Sequence, residues 1–127
     1  MKTSELGGFA AMRRESKDEI QIVSVSGDVD LYSAHRLGEV ISRAKSQADF
    51  HPARMVVDLS EVEFMDTAGL EVLLEECSFS RQVGRKMCLV AQEGPITRLL
   101  ELTGLKELFH LYDELGRAVD SCTLVPA

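Results

Sequence analysis

The segment Phe64-Met65-Asp66-Thr67-Ala68-Gly69-Leu70 constrains the fold most, because one periodicity gives way to another inside it. Upstream, Met55-Val56-Val57-Asp58-Leu59 reads as a buried strand. Downstream, Leu70, Leu73, Leu74 and Cys77 recur at i, i+3, i+4 and i+7, the apolar stripe of an amphipathic helix. Thr67 is therefore expected at the N-cap, its side chain accepting from the first free backbone N–H groups. Those N–H groups and the positive helix end would also favour a phosphate carried on the hydroxyl. At this level a structural cap and a regulatory phosphosite look alike.

The same patterns extend in both directions. Residues 1–8 read as a mobile leader and residues 9–127 as one domain. Two β-type stretches, about Phe9–Glu15 and Glu19–Ser26, joined at Ser16-Lys17-Asp18, read as a hairpin. In the second, Ile20, Ile22 and Ser24 are expected on one side and Val23 and Val25 on the other, so that strand lies inside a sheet. Gly27-Asp28-Val29-Asp30-Leu31-Tyr32 reads as a loop with two carboxylates. A helix then starts at Ser33, with Leu37, Val40, Ile41, Ala44 and Ala48 inward and Tyr32 stapled onto Leu37. Pro52 breaks the chain before the Met55 strand. The helix after Thr67 is expected to run to about Val83 and stop at Gly84. Lys86–Val90 is the next strand. Gly94-Pro95 opens a short helix bearing Ile96, Leu99 and Leu100, closed by Gly104. Leu108–Tyr112 is a last strand, and Asp113 caps a terminal helix with Leu115, Val119 and Cys122 inward. This alternation predicts an α/β sandwich. Its central sheet is mostly parallel, of four to five strands, opened by the N-terminal hairpin and accompanied by about four helices with right-handed crossovers.

Composition narrows the function. A chain of 127 residues with 45% hydrophobic and 28% charged residues is a folded globular domain of ordinary size. No apolar run approaches the roughly 20 residues of a membrane helix, and the N-terminus does not resemble a secretory signal; a cytoplasmic protein is expected. The net charge of -7 disfavours nucleic acid or an anionic membrane as a direct partner. An acidic surface suits a basic protein partner. Cys77, Cys88 and Cys122 lack Cys-x-x-Cys spacing and fall in apolar periodic segments, so they read as reduced core residues.

Catalytic chemistry finds little support. His35, His51 and His110 fall in three different elements without His-x-x-x-His spacing, and no phosphate-binding glycine loop of known type occurs. Ser33 and Ser60 lack an evident His partner. The expectation is a binding protein, not an enzyme, with no metal and no cofactor. On the helix after Thr67, Val72, Phe79 and Val83 cluster opposite the Leu70–Cys77 stripe. Either the neighbouring helix from Pro95 covers part of this strip, or it is an apolar docking surface contiguous with Thr67.

Four segments in this order resemble the STAS (sulphate-transporter and anti-sigma-antagonist) domain family, and within it the small bacterial anti-sigma factor antagonists. They are Gly27-Asp28-Val29-Asp30-Leu31-Tyr32-Ser33-Ala34, Val57-Asp58-Leu59-Ser60, Phe64-Met65-Asp66-Thr67-Ala68-Gly69-Leu70 and Leu99-Leu100-Glu101-Leu102-Thr103-Gly104-Leu105. The resemblance implies that Thr67, directly after Asp66, is phosphorylated by a partner anti-sigma factor that is a serine/threonine kinase. The unphosphorylated form binds that partner and frees the sigma factor; a phosphatase resets the phosphorylated form. The resemblance also puts Asp30, and more weakly Asp28, beside the acceptor at the kinase surface; with Asp66, Ala68, Gly69 and Glu71 around Thr67, and Val72 and Phe79 from the apolar strip, these are the expected partner-binding residues. Two departures stand out: Thr in place of the more usual Ser, and Glu71 where antagonists often carry Gly. Asp-Thr-Ala-Gly-Leu also resembles the STAS subunits of ABC-type lipid-transport complexes, which gives an alternative non-enzymatic reading. Weak homodimerisation stays open.

Overall fold

Ile22, Val56 and Cys88 are neighbours across three strands, as are Val23, Val57 and Leu89. The two rows point to opposite faces, because side chains alternate along a strand. Each row is apolar, so both faces of the sheet must be covered. The computed structural model, which describes residues 8–16, 19–46 and 54–123, shows how this is done. The elements in chain order are β1 (Ala10–Glu15), β2 (Gln21–Val29), α1 (Ala34–Ser46), β3 (Met55–Met65), α2 (Thr67–Gln82), β4 (Met87–Val90), α3 (Pro95–Leu102), β5 (His110–Tyr112) and α4 (Leu115–Thr123), with a 3₁₀ turn at Lys106–Leu108.

The five strands lie in sheet order β1-β2-β3-β4-β5. β1 and β2 form the antiparallel hairpin, and the other pairs are parallel. On one face Val23, Val25, Val57 and Leu89 form the main core with Leu37, Ile41 and Ala44 of α1, Leu70, Leu73 and Cys77 of α2, and Ile96 and Leu100 of α3. On the other, Ile20, Ile22, Val56, Cys88 and Val90 meet Ala118 and Cys122 of α4. The expected α/β sandwich is the fold observed, and β2 is apolar on both sides as read.

Several boundaries differ from the sequence reading. Gly27, Asp28 and Val29 belong to β2, not to a loop. Two register shifts against β3, at Ser24/Ser26 and Gly27/Asp28, hide their alternation. Gly27 permits this course: its φ is +84°, and a Cβ there would fall 1.5 Å from the Gly8 carbonyl oxygen. β3 continues from Leu59 to Met65 because it pairs with this lengthened β2. Gly84 and Gly104, both at positive φ, end α2 and α3 as expected. Tyr32 does not staple onto Leu37: it is 81% exposed, while Leu37 is buried. Asp113 lies two residues before α4 and pairs with Arg117 at 3.6 Å. The leader up to Gly7, the Lys17-Asp18 turn residues, Ala48, His51 and Pro52 lie outside the described residues.

Candidate functional site at the tip of α2

Extended β3 delivers the chain to Asp66, whose backbone is still extended (φ −102°, ψ −173°). Its N–H donates to the Val29 carbonyl at 3.0 Å, which ties the end of β2 to the start of α2. One carboxylate oxygen, Oδ1, accepts from the Ala68 N–H at 2.9 Å and the Gly69 N–H at 3.4 Å. Asp66 is therefore the N-cap, and Thr67 is the first helical residue. This corrects the expectation that Thr67 caps the helix. The physical reason is that β3 runs to Met65, so the extended residue at the junction is the aspartate. Capping and hydroxyl chemistry are thus divided between two residues. Thr67 is exposed, and among the described residues its hydroxyl takes no hydrogen bond.

Beside this tip lies the turn between β2 and α1. Asp30 Oδ1 accepts from the N–H groups of Tyr32 and Ser33, each at 3.0 Å. The Ser33 hydroxyl accepts from the Asp30 N–H at 2.9 Å. Its single proton can serve the Asp28 carbonyl at 3.0 Å or the Asp30 carboxylate at 3.1 Å. The Ser33 N–H, foremost among these donors, holds the Asp30 carboxyl below its ordinary value. Asp30 thus organises the turn that carries Leu31 and Tyr32, while Asp28 is half-buried at the end of β2. Leu31 is 69% exposed, Tyr32 is 81% exposed, and Phe64, in register with Asp28, is 50% exposed. Sequence reasoning missed this apolar group around the tip. Its signal was the Leu31-Tyr32 pair within a polar turn, together with Phe64 alternating against inward Met65.

The remaining expected residues follow α2. Ala68 is half-buried and Glu71 is exposed in the next turn. Gly69 is buried, and a Cβ on it would lie 2.6 Å from Val29 Cγ1 and 2.9 Å from Met65 Cγ. Its missing side chain lets α2 sit close against the ends of β2 and β3. Val72 is half-buried; a Cβ on Gly38 of α1 would lie 3.9 Å from its Cγ1. The element beside this strip is α1, not the helix from Pro95. Between α1 and α2 runs a groove of about 580 Å³, lined by Gly38, Ser42, Lys45, Val72, Glu76 and Phe79 among others. Phe79 is half-exposed under two cations, with Lys45 Nζ 4.3 Å and Arg85 Cζ 5.3 Å from its ring centre. Beneath it, buried Glu76 pairs with buried Arg85 and, at 3.0 Å, with Lys45. Val83 stays exposed as the C-cap.

The tip offers a hydroxyl, carboxylates and apolar side chains on a rigid junction, an arrangement suited to being recognised. Among the described residues no cluster of three or more metal-binding side chains occurs, and no helix is long and apolar enough to cross a membrane. Comparison with known proteins agrees with the fold. The anti-sigma-F factor antagonist RsfB of Mycobacterium tuberculosis is 31% identical over 102 residues, 79% of either chain. An anti-sigma-B factor antagonist of Staphylococcus aureus is 28% identical over 96 residues, 76% of this chain and 86% of that one. The crystal structure of an anti-sigma factor antagonist from Mycobacterium paratuberculosis superposes with a TM-score of 0.81 at 27% identity, covering 92% of this chain and 96% of that one. The STAS domain family model matches residues 11–118, and the chain belongs to the STAS domain family.

Proposed function

We propose that this protein is an anti-sigma factor antagonist, a binding protein of the cytoplasm switched by phosphorylation at Thr67. Unphosphorylated, it binds a serine/threonine-kinase anti-sigma factor and releases the sigma factor. The kinase supplies ATP and Mg²⁺, this chain supplies the acceptor hydroxyl, and a phosphatase removes the phosphate. The antagonist names of the relatives favour this reading over a subunit of a lipid-transport complex. The observation that carries it is the exposed Thr67 hydroxyl, free of capping duty because Asp66 holds the helix N–H groups.

The switch is local electrostatics. A phosphate adds about −1.5 to −2 of charge at pH 7. At Thr67 it joins Asp28, Asp30, Asp66 and Glu71, and the helix N-terminus accommodates it without refolding. In the unphosphorylated state Leu31, Tyr32 and Phe64 supply apolar contact, with Ala68, Gly69, Val72 and Phe79 extending the surface along α2. In the phosphorylated state, added charge and bulk at the centre of that contact repel the partner. Incubation with the anti-sigma factor kinase of its own cell and ATP, followed by intact mass and site mapping, tests this. One phosphate is expected, on Thr67, and none on Thr67→Ala; phosphate on another residue, or none at all, overturns the reading.

A further inference from the structure

On the sheet face away from α1, α2 and α3, two of the three cysteines meet. Cys88 lies within β4 and Cys122 in the last turn of α4, and both are fully buried in the same apolar cluster. Their sulfurs are 3.7 Å apart, and the Ser121 hydroxyl lies 3.6 Å from the Cys88 sulfur. Cys77 is on the opposite face, where its sulfur sits 3.3 Å from the Leu108 carbonyl oxygen. We propose that Cys88 and Cys122 are a redox-sensitive modification site, joined by a hydroperoxide into an intramolecular disulfide that fastens α4 to β4.

The geometry asks for little movement. Bonded sulfurs lie about 2.05 Å apart, so a shift of under about 2 Å at the end of a short helix suffices. α4 spans nine residues, and short helices packed by one face open locally far more often than the whole domain unfolds. Partial opening at the end of α4 admits a small oxidant while the two sulfurs stay within reach of each other. The chemistry is also divided between the two sulfurs. The hydrogen bond with Cys122 favours the Cys88 thiolate and, against the upward push of burial, brings that group down to about 7, while the same pairing pushes the Cys122 thiol up. With the two sulfurs in reach of each other either can react first, and the pairing favours Cys88 as the nucleophile. Its thiolate attacks one peroxide oxygen; an S–O bond forms, the O–O bond breaks, and the other oxygen leaves as water or alcohol after taking a proton. With the thiolate charge gone, Cys122 ionises more readily. It attacks the sulfenic sulfur, the S–S bond forms, the S–O bond breaks and the hydroxyl departs as water with the Cys122 proton. Two thiols lose two electrons to one peroxide.

α4 supplies the helical cover of this face among the described elements, and the Thr67 tip belongs to the other layer. The site is therefore independent of the proposed phosphorylation switch. The test treats the reduced full-length chain with hydrogen peroxide, then alkylates it in denaturant and maps the peptides. The expected result is a chain lighter by two hydrogens, with Cys77 alone alkylated and Cys88 linked to Cys122. Its thermal midpoint should rise by about 5 °C or more. Cys77→Ser should keep the link, and Cys88→Ser and Cys122→Ser should each lose it. Three alkylated thiols after treatment, over-oxidised Cys88 with Cys122 still free, or links between chains would overturn the proposal.

Discussion

Removing the Asp66 carboxylate leaves the Ala68 and Gly69 N–H groups without their acceptor, whereas removing the Thr67 hydroxyl leaves every described backbone group as it was. Asp66→Ala should therefore cost about 1 kcal/mol in urea unfolding. Thr67→Ala should stay within about 0.5 kcal/mol of the parent. Reversed effects would return the cap to Thr67. Gly69→Ala should cost about 1–3 kcal/mol, because the new Cβ meets the branched Val29 side chain; an unchanged unfolding midpoint would remove the close-packing account. The sequence marked this junction but not its cap, since Asp66 and Thr67 are both good caps and stand side by side. The deciding contact, Asp66 N–H to the Val29 carbonyl, joins residues far apart in the chain.

Helix α2 was legible through its inward stripe, and Leu70, Leu73 and Cys77 are buried as that stripe requires. Its burial of Glu76 was not legible. A glutamate beside an apolar stripe gives no sign that Lys45 of α1 and Arg85 after α2 converge on it. Burial lowers the Arg85 guanidinium below its ordinary range, yet Glu76 and the Ser80 hydroxyl satisfy it. Breaking one side of such a set leaves an uncompensated charge. Glu76→Ala should therefore cost about 3–5 kcal/mol in chemical unfolding. A loss below about 1 kcal/mol, the range of exposed ion pairs, would mean that water reaches the cluster. This cluster also ties α1 to α2 beside the groove, where its two cations lie over the Phe79 ring.

For the whole molecule, the alternation of strand and helix periods was enough to predict a mostly parallel sheet of four to five strands, and five are observed, because residues such as Val23 and Val25 of β2 recur on a period of two. The candidate site was legible only in part. Asp28, Asp30 and Thr67 were read as neighbours from resemblance. Leu31, Tyr32 and Phe64 emerge from the lengths of β2 and β3, which two register shifts and the positive φ of Gly27 conceal. The architecture separates two surfaces: a charged and apolar tip around Thr67, and a buried thiol pair under α4. The proposed switch depends on what a phosphate does at that tip. The decisive measurement is the affinity of the anti-sigma factor for the unphosphorylated chain and for the chain phosphorylated at Thr67. At least a tenfold weakening, about 1.4 kcal/mol, is predicted on phosphorylation; equal affinities would contradict it.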